Sequence, residues 1–384
     1  MENEVADKRN VIIFSSDLLP QSETFILAQG EGLQRYTPYY VGIRRVSDGL
    51  SVPPERTIVI GRSKWAVAAK AQKVLFRLLK VMPGLYTRLS KLQPMLVHAH
   101  FGPNSIYAMS ISKYLQVPLI VTFHGVDTNP DQFLIQRSFV TRDYVRNRKK
   151  LMQYGRLFIA VSEFMKSKLI EKGFSPESVI VHYIGIDNKL FRRDPMVERS
   201  PMVLFVGRLV EYKGCEYLIK AMAKVQALRP DVKLVVVGDG ELRASLQRQA
   251  ADALQNYTFM GWQTSEQVRD LMNRAKVFCA PSFTINARCS EAFGIVFAEA
   301  QAMGLPVVSF KTGGIQEAVS HEETGFLAPE RDWEKLADYI LIMFNNENLW
   351  TQFSYNGQRR VEDKFNLTRQ NSLLEGLYDS VIQT

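Results

Sequence analysis

Apolar runs of strand length alternate with helical stretches along the whole chain: VIIFSS, TPYYVGI, RTIVIG, MLVHAH, LIVTFHG, LFIAVS and VIVHYIG before residue 190, then VLFVGR, KLVVVGDG, TFMG, VFCAPS and VVSF. Apolar strands separated by helix-length connections pair in parallel, with the crossover helices covering both faces. The pattern therefore predicts α/β architecture. At 384 residues the chain exceeds what one core organises, so two domains are expected. The charged stretch NKLFRRDPMVERSPM, residues 188–202, carries two prolines between the two series of strands and reads as the linker. The expected organisation is a first domain over 1–187, a second over 188–365, and a closing helical run over 366–384. Both domains are expected to be doubly wound and Rossmann-like, facing across a cleft, with ligands beyond the carboxyl ends of their strands.

The chemistry concentrates in EAFGIVFAEAQAMGLPVVSFKTGG, residues 291–314. Gly294 falls where a loop turns into a helical run, which places Glu291 before the helix and Glu299 in its first turn. Free amides at a helix start suit a phosphate or a polar hydroxyl ring, and carboxylates accept hydrogen bonds from sugar hydroxyls. That combination fits a sugar nucleotide. PMVLFVGRLVEYKG, residues 201–214, reads as a strand ending at Gly207 and a basic loop with Arg208 and Lys213. Two fixed cations at a sheet's carboxyl edge can neutralise a leaving diphosphate without a metal, and no D-x-D metal motif lies in a suitable loop. KLVVVGDGELRASL repeats strand, glycine turn at Gly238, and helix; Arg243 stands where a dinucleotide fingerprint has its third glycine, leaving an NAD-dependent oxidoreductase a minor alternative. YTFMGWQTSEQVRDLM gives a short strand, Gly261, and a helix that Thr264 or Ser265 can cap. In the first half, His100 ends the strand MLVHAH, and His124, followed by Asp127, ends LIVTF.

In this order the motifs resemble those of retaining family 4 glycosyltransferases of the GT-B fold, with the likeness strongest from residue 200 to 330. The resemblance implies that Arg208 and Lys213 contact the donor diphosphate, Glu299 binds the ribose hydroxyls, and Glu291 sits beside the transferred sugar. It also implies that the amides of Phe293, Gly294, Ile295 and Val296 hold sugar hydroxyls and the distal phosphate, with Gly207, Gly238 and Gly261 near the nucleotide. His124 falls near the donor sugar's reactive side, and His100 and Asp127 toward the acceptor. LLPQSETFILAQGEGL, residues 18–33, resembles the first loop and helix of bacterial exopolysaccharide and colanic-acid transferases, which brings Ser22, Glu23 and Thr24 to the acceptor side. Many family members carry paired glycines there instead. In the GT-B fold the last helix crosses back to the first domain. Neither cofactor nor metal is expected beyond the donor itself, and whether Glu291 acts as a nucleophile stays open.

The net charge of +9 hides an asymmetry: residues 1–199 carry +12 and the rest −3. No acidic residue lies between Glu55 and Asp127. Lys70, Lys73, Arg77 and Lys80 fall at helical spacing beside Trp65 and Phe76, which predicts a basic amphipathic helix on an anionic bilayer. Arg137, Arg142, Arg146, Arg148, Lys149 and Lys150 form a second cluster. No nucleic-acid module accompanies this charge, so a nucleic-acid partner is not expected. No apolar run reaches the length of a membrane span, and the polar start MENEVADKRN is unlike a signal peptide. The three cysteines lack metal-type spacing and are expected as thiols. The expected protein is cytoplasmic and peripheral on the inner membrane face. It would move a hexose from a UDP- or GDP-sugar to a lipid-linked glycan. A GT-B sugar-nucleotide epimerase and a non-catalytic sugar-nucleotide-binding module are the alternatives.

Overall fold

The computed structural model describes residues 8–47, 49–60, 66–80, 82–125, 138–285 and 290–383. Contacts divide the chain into two units, one running to Gly185 and taking in the final helix from Leu367, the other spanning Ile186–Asn366. The first unit contains β1 (Arg9–Phe14), β2 (Asp17–Leu18), β3 (Tyr36–Gly42), β4 (Arg44–Arg45), β5 (Thr57–Val59), β6 (Leu96–His100), β7 (Leu119–Phe123), β8 (Leu157–Ala160) and β9 (Val179–Val181). Seven of these form one parallel sheet in the order β5-β3-β1-β6-β7-β8-β9, while β2 and β4 pair separately. Because β1 pairs with β3 on one side and β6 on the other, the strand order reverses beside the carboxyl end of β1.

β6 is buried throughout, histidines included. His98 is accommodated because both ring nitrogens are used: Nδ1 shares a hydrogen bond with the Tyr378 hydroxyl at 2.6 Å and Nε2 with Thr122 Oγ1 at 2.7 Å. Tyr378 lies on the final helix, Leu367–Gln383. From the same helix, the buried carboxylate of Glu375 accepts from the amides of Gln34 and Arg35 at 2.7 and 2.6 Å. Asp379 accepts from Arg9 at 2.5 Å and from the Tyr36 hydroxyl at 2.8 Å. The last helix thus completes the first unit's core.

The second unit holds β10 (Met202–Val206), β11 (Lys233–Val237), β12 (Tyr257–Gly261), β13 (Val277–Cys279), β14 (Val307–Phe310) and β15 (Gly325–Ala328). They form a parallel sheet in the order β12-β11-β10-β13-β14-β15, so the reversal point lies beside the carboxyl end of β10, where Gly207 and Arg208 follow. Thr264 closes a capping box with Gln267 at the start of Ser265–Arg274. Cys215 and Cys279 are buried thiols, and Cys289 lies outside the described residues. Among the described residues no helix is long and apolar enough to cross a membrane.

Candidate functional site

The carboxyl edge of the second sheet is built by loops packed backbone against backbone. Gly207 N–H donates to the Val237 carbonyl at 3.0 Å, and Gly238 N–H donates to the Gly261 carbonyl at 2.8 Å. Gly238 has φ +130°, and a Cβ there would overlap the Gly207 carbonyl. The missing side chain at Gly238 is therefore already required by the neighbouring loop, a reason the sequence motif did not reveal. Gly261, at φ +71°, lies under the Arg243 guanidinium. Gly207 and Gly238 follow β10 and β11, and Gly261 ends β12, so all three lack a side chain at this edge.

Lys213 leaves this edge in a short 3-10 turn, Glu211–Lys213, terminated by Gly214 at φ +69°. Its ammonium forms an ion pair with Glu291 Oε2, both side chains being largely buried. Burial opposes the Lys213 charge, but Glu291 and Tyr212 outweigh it and hold the ammonium above its ordinary range. Ser282 Oγ adds a 3.4 Å hydrogen bond to the same carboxylate oxygen, and the Gly314 amide binds the Glu291 carbonyl at 2.9 Å. Arg208 is exposed and donates to the Tyr212 hydroxyl at 2.8 Å. Tyr212 escaped the sequence reading, since a tyrosine four residues after an arginine carries no local signal.

Gly294 takes φ +74° to open the helix Ile295–Ala302; a Cβ there would stand 2.5 Å from the Phe297 ring and 3.1 Å from Glu291 Cγ. The first-turn amides of Ile295 and Val296 have no partner among the described residues. Phe293 is a core side chain packed edge-on to Phe365. Glu299 lies one turn further into the helix than its expected place in the first turn, because the helix starts at Ile295. It faces outward enough to be half-buried and has no hydrogen-bond partner among the described residues. The edge thus brings together an exposed cation, a buried cation–carboxylate pair, and, among the described residues, two amides and an acid that have no hydrogen-bond partner.

At the carboxyl edge of the first sheet, His100 Nδ1 and His124 Nε2 are 3.0 Å apart. Burial pushes His100 down to about 3, while burial and then His100 hold His124 far below the ordinary range, so both rings are neutral near pH 7. Their shared contact uses one N–H. One donor and one acceptor remain at the outer nitrogens, His100 Nε2 and His124 Nδ1, which have no partner among the described residues. Phe25 and Phe101 pack on the His124 ring at 5.0 and 4.7 Å. Glu23 precedes the helix Thr24–Glu31; burial, then Asp17, raise its carboxyl to about 8, and its Oε2 is buried without a partner among the described residues. Ser22 is exposed, and neither Glu23 nor Thr24 caps the helix through its side chain. Asp127 lies outside the described residues.

The basic helix requires a correction. Phe76 of the helix Ala66–Leu79 is fully buried, and Lys80, just past its end, pairs with Asp143 at 2.9 Å. The side with Phe76, Arg77 and Lys80 therefore packs inward, and the outward residues are Val67, Val74 and Leu75. Trp65 and the Lys70 side chain lie outside the described residues. The exposed basic stripe belongs to Phe139–Tyr154 instead: Arg142, Arg146, Lys149 and Lys150 recur at helical spacing, and none pairs with a carboxylate among the described residues.

Two solved structures share the architecture. HepE from Anabaena, crystallised with UDP and glucose, matches with a TM-score of 0.77 over 97% of this chain and 100% of that one, at 20% identity. Sucrose-phosphate synthase from Thermosynechococcus elongatus matches with 0.74 over 98% and 100%, at 21% identity. The models for Glycosyltransferase Family 4 and Glycosyl transferases group 1 match in tandem, over residues 27–190 and 187–360. The chain belongs to the GT-B glycosyltransferases.

Relatives of this glycosyltransferase include the amylovoran biosynthesis glycosyltransferase AmsK of Erwinia amylovora, 29% identical over 70% of this chain and 65% of the relative. The putative colanic acid biosynthesis glycosyltransferase WcaL of Salmonella typhimurium is 29% identical over 62% of this chain and 59% of its own length. The chain thus spans less than two thirds of either relative's length.

Glu299 of this glycosyltransferase has a measurable signature. Burial pushes its carboxyl up to about 7, with Arg269 pulling partly the other way. A raised acid stabilises the fold in its neutral form; that contribution is complete below the unfolded value near 4.5 and is lost as pH rises through about 7. Glu299→Gln keeps a neutral side chain at every pH. Its melting temperature should gain on wild type from pH 5 to pH 8.5, by a free energy on the order of 2 kcal/mol after allowing for partial exposure. Thermal melts at the two pH values decide it, and an unchanged difference between the proteins would show that the carboxyl is not raised.

Proposed function

We propose that this protein is a retaining hexosyltransferase that moves the sugar of a UDP- or GDP-hexose to a lipid-linked oligosaccharide or polysaccharide precursor. The observation that carries this reading is the second unit's edge, where Arg208, the Lys213–Glu291 pair and the free amides of Ile295 and Val296 occupy the strand-order reversal. Fixed positive charge and free amides there suit a leaving diphosphate. Arg208 and Lys213 take the charge a divalent metal would otherwise carry, so a chelator should leave the rate unchanged. Glu299 accepts from ribose hydroxyls, and Glu291, oriented by Lys213 and Gly314, positions the hexose beside its phosphate. The relatives' roles in amylovoran and colanic acid biosynthesis support a glycan acceptor. On the acceptor side, the first unit offers His100, Glu23 and Ser22, with Asp127 proposed from sequence alone, while His124 is assigned to the donor sugar's reactive side. Incubation with labelled UDP- and GDP-hexoses and membrane extracts, followed by the anomeric configuration of the product, tests the reading. Transfer with inversion would refute the retaining assignment.

We place the protein peripherally on the inner face of an anionic membrane, through Arg142, Arg146, Lys149 and Lys150; Val67, Val74 and Leu75 are exposed on another helix of the same unit. Each charge near such a surface is worth about 1 kcal/mol, so reversing Arg146 and Lys149 to glutamate should weaken vesicle binding more than about tenfold at physiological salt. Sedimentation with and without anionic lipid provides the measurement. Equal binding by wild type and the double variant would remove this surface from the proposal.

A further inference from the structure

A second recessed site lies in the unit Ile186–Asn366, apart from the edge with Lys213 and Glu291. It is a cavity of about 470 Å³ whose lining includes Asn188, Lys189, Arg192, Tyr355, Arg359 and Glu362. That volume falls in the range of small-molecule sites. Its wall contains an uncommon backbone feature: the helix Glu347–Arg360 runs into a π-helical turn, Val361–Phe365, which carries Glu362. π turns are rare and concentrate at functional sites.

The polar groups in this wall are only partly used. Asn188 donates its amide hydrogen to Glu362, while its side-chain oxygen is buried with no partner among the described residues. An acceptor left in that state asks for an external hydroxyl or amide. Lys189 and Arg192 are exposed and pair with no carboxylate among the described residues, and Arg359 reaches Asp363 only at 3.9 Å. The cations therefore exceed the one carboxylate in the lining, and that carboxylate is already bonded by Asn188 and by Asn366 at 3.1 Å. Tyr355 presents an aromatic ring that is 60% exposed. Acceptors suit sugar hydroxyls, the ring suits the apolar face of a pyranose, and the unpaired cations suit an anionic substituent.

We propose that this cavity binds an anionic sugar ring, with the pyranose against Tyr355, hydroxyls on Asn188 and Glu362, and a carboxylate or phosphate between Lys189, Arg192 and Arg359. The inference does not depend on the donor reading, since none of these residues belongs to the edge with Lys213.

Calorimetric titration of the full chain tests it with three probes: a glucuronate-containing tetrasaccharide, glucose 6-phosphate, and a neutral glucose tetrasaccharide. The anionic probes should bind saturably and at least about tenfold more tightly than the neutral one, and their affinity should fall as salt rises. Tyr355→Ala and the pair Lys189→Glu with Arg192→Glu should each weaken that binding about tenfold or more, while melting temperature and circular dichroism stay at wild-type values. Binding of the tetrasaccharide alone assigns a carboxylated glycan as the source, and binding of the sugar phosphate alone assigns a phosphorylated one. If neither anionic probe binds, if the neutral probe binds equally well, or if both folded variants bind like wild type, the proposal is overturned.

Discussion

Replacing Lys213 or Arg208 with alanine should lower turnover about a hundredfold or more, the loss expected when a fixed donor is removed from developing charge. The two variants differ in side effects. Arg208 is exposed and, among the described residues, donates only to the Tyr212 hydroxyl, so its removal leaves no buried group there without a partner. Lys213 is the cation paired with Glu291, and its loss strands a largely buried carboxylate. Arg208→Ala should therefore melt like wild type, whereas Lys213→Ala should melt lower and regain part of that loss when combined with Glu291→Gln. Steady-state rates beside thermal melts separate the effects. A folded Arg208→Ala protein with nearly normal turnover would contradict its role at the diphosphate.

The two acids should divide binding from transfer. Glu299→Gln is expected to weaken the binding of free UDP or GDP by about tenfold or more, because an acceptor of two hydroxyls becomes a weaker one. Glu291→Gln should leave nucleotide affinity nearly unchanged and lower transfer by about two orders of magnitude, since Glu291 is assigned to the hexose. Calorimetry with the bare nucleotide and rate measurements with the full donor make the comparison. Reversal of the two phenotypes would exchange the assignments.

Much of the fold was legible because the strands are buried on both faces and so read as unbroken apolar runs. MLVHAH, LIVTF, VLFV and KLVVV each form a strand where the sequence places one. The cap of this helix was legible to within one residue, as Thr264 or Ser265, for a local reason, since capping depends on residues three apart; Thr264 fills it. What stayed hidden depends on distant partners. Nothing in GDGELR shows that Gly238 must make room for the Gly207 carbonyl, and nothing around Lys80 shows its bond to Asp143. Periodicity identified the helix Ala66–Leu79 but left two faces open, and the burial of Phe76 decided between them. The pairing of His100 with His124, 24 residues apart in sequence, arises from the register of neighbouring strands and has no sequence signature.

Donor binding at the second unit's edge is tested most directly by thermal stabilisation with a panel of UDP- and GDP-hexoses. A donor present at 100 times its dissociation constant stabilises the folded protein by about 2.7 kcal/mol, a shift of several degrees. At least one member of the panel should raise the wild-type melting temperature by that amount, and the same compound should stabilise Arg208→Ala and Glu299→Gln clearly less, by about half where affinity falls tenfold. If no UDP- or GDP-sugar shifts the wild-type melt at millimolar concentration, or if the shift persists undiminished in both variants, the edge formed by Arg208, Lys213, Glu291 and Glu299 is not the donor site.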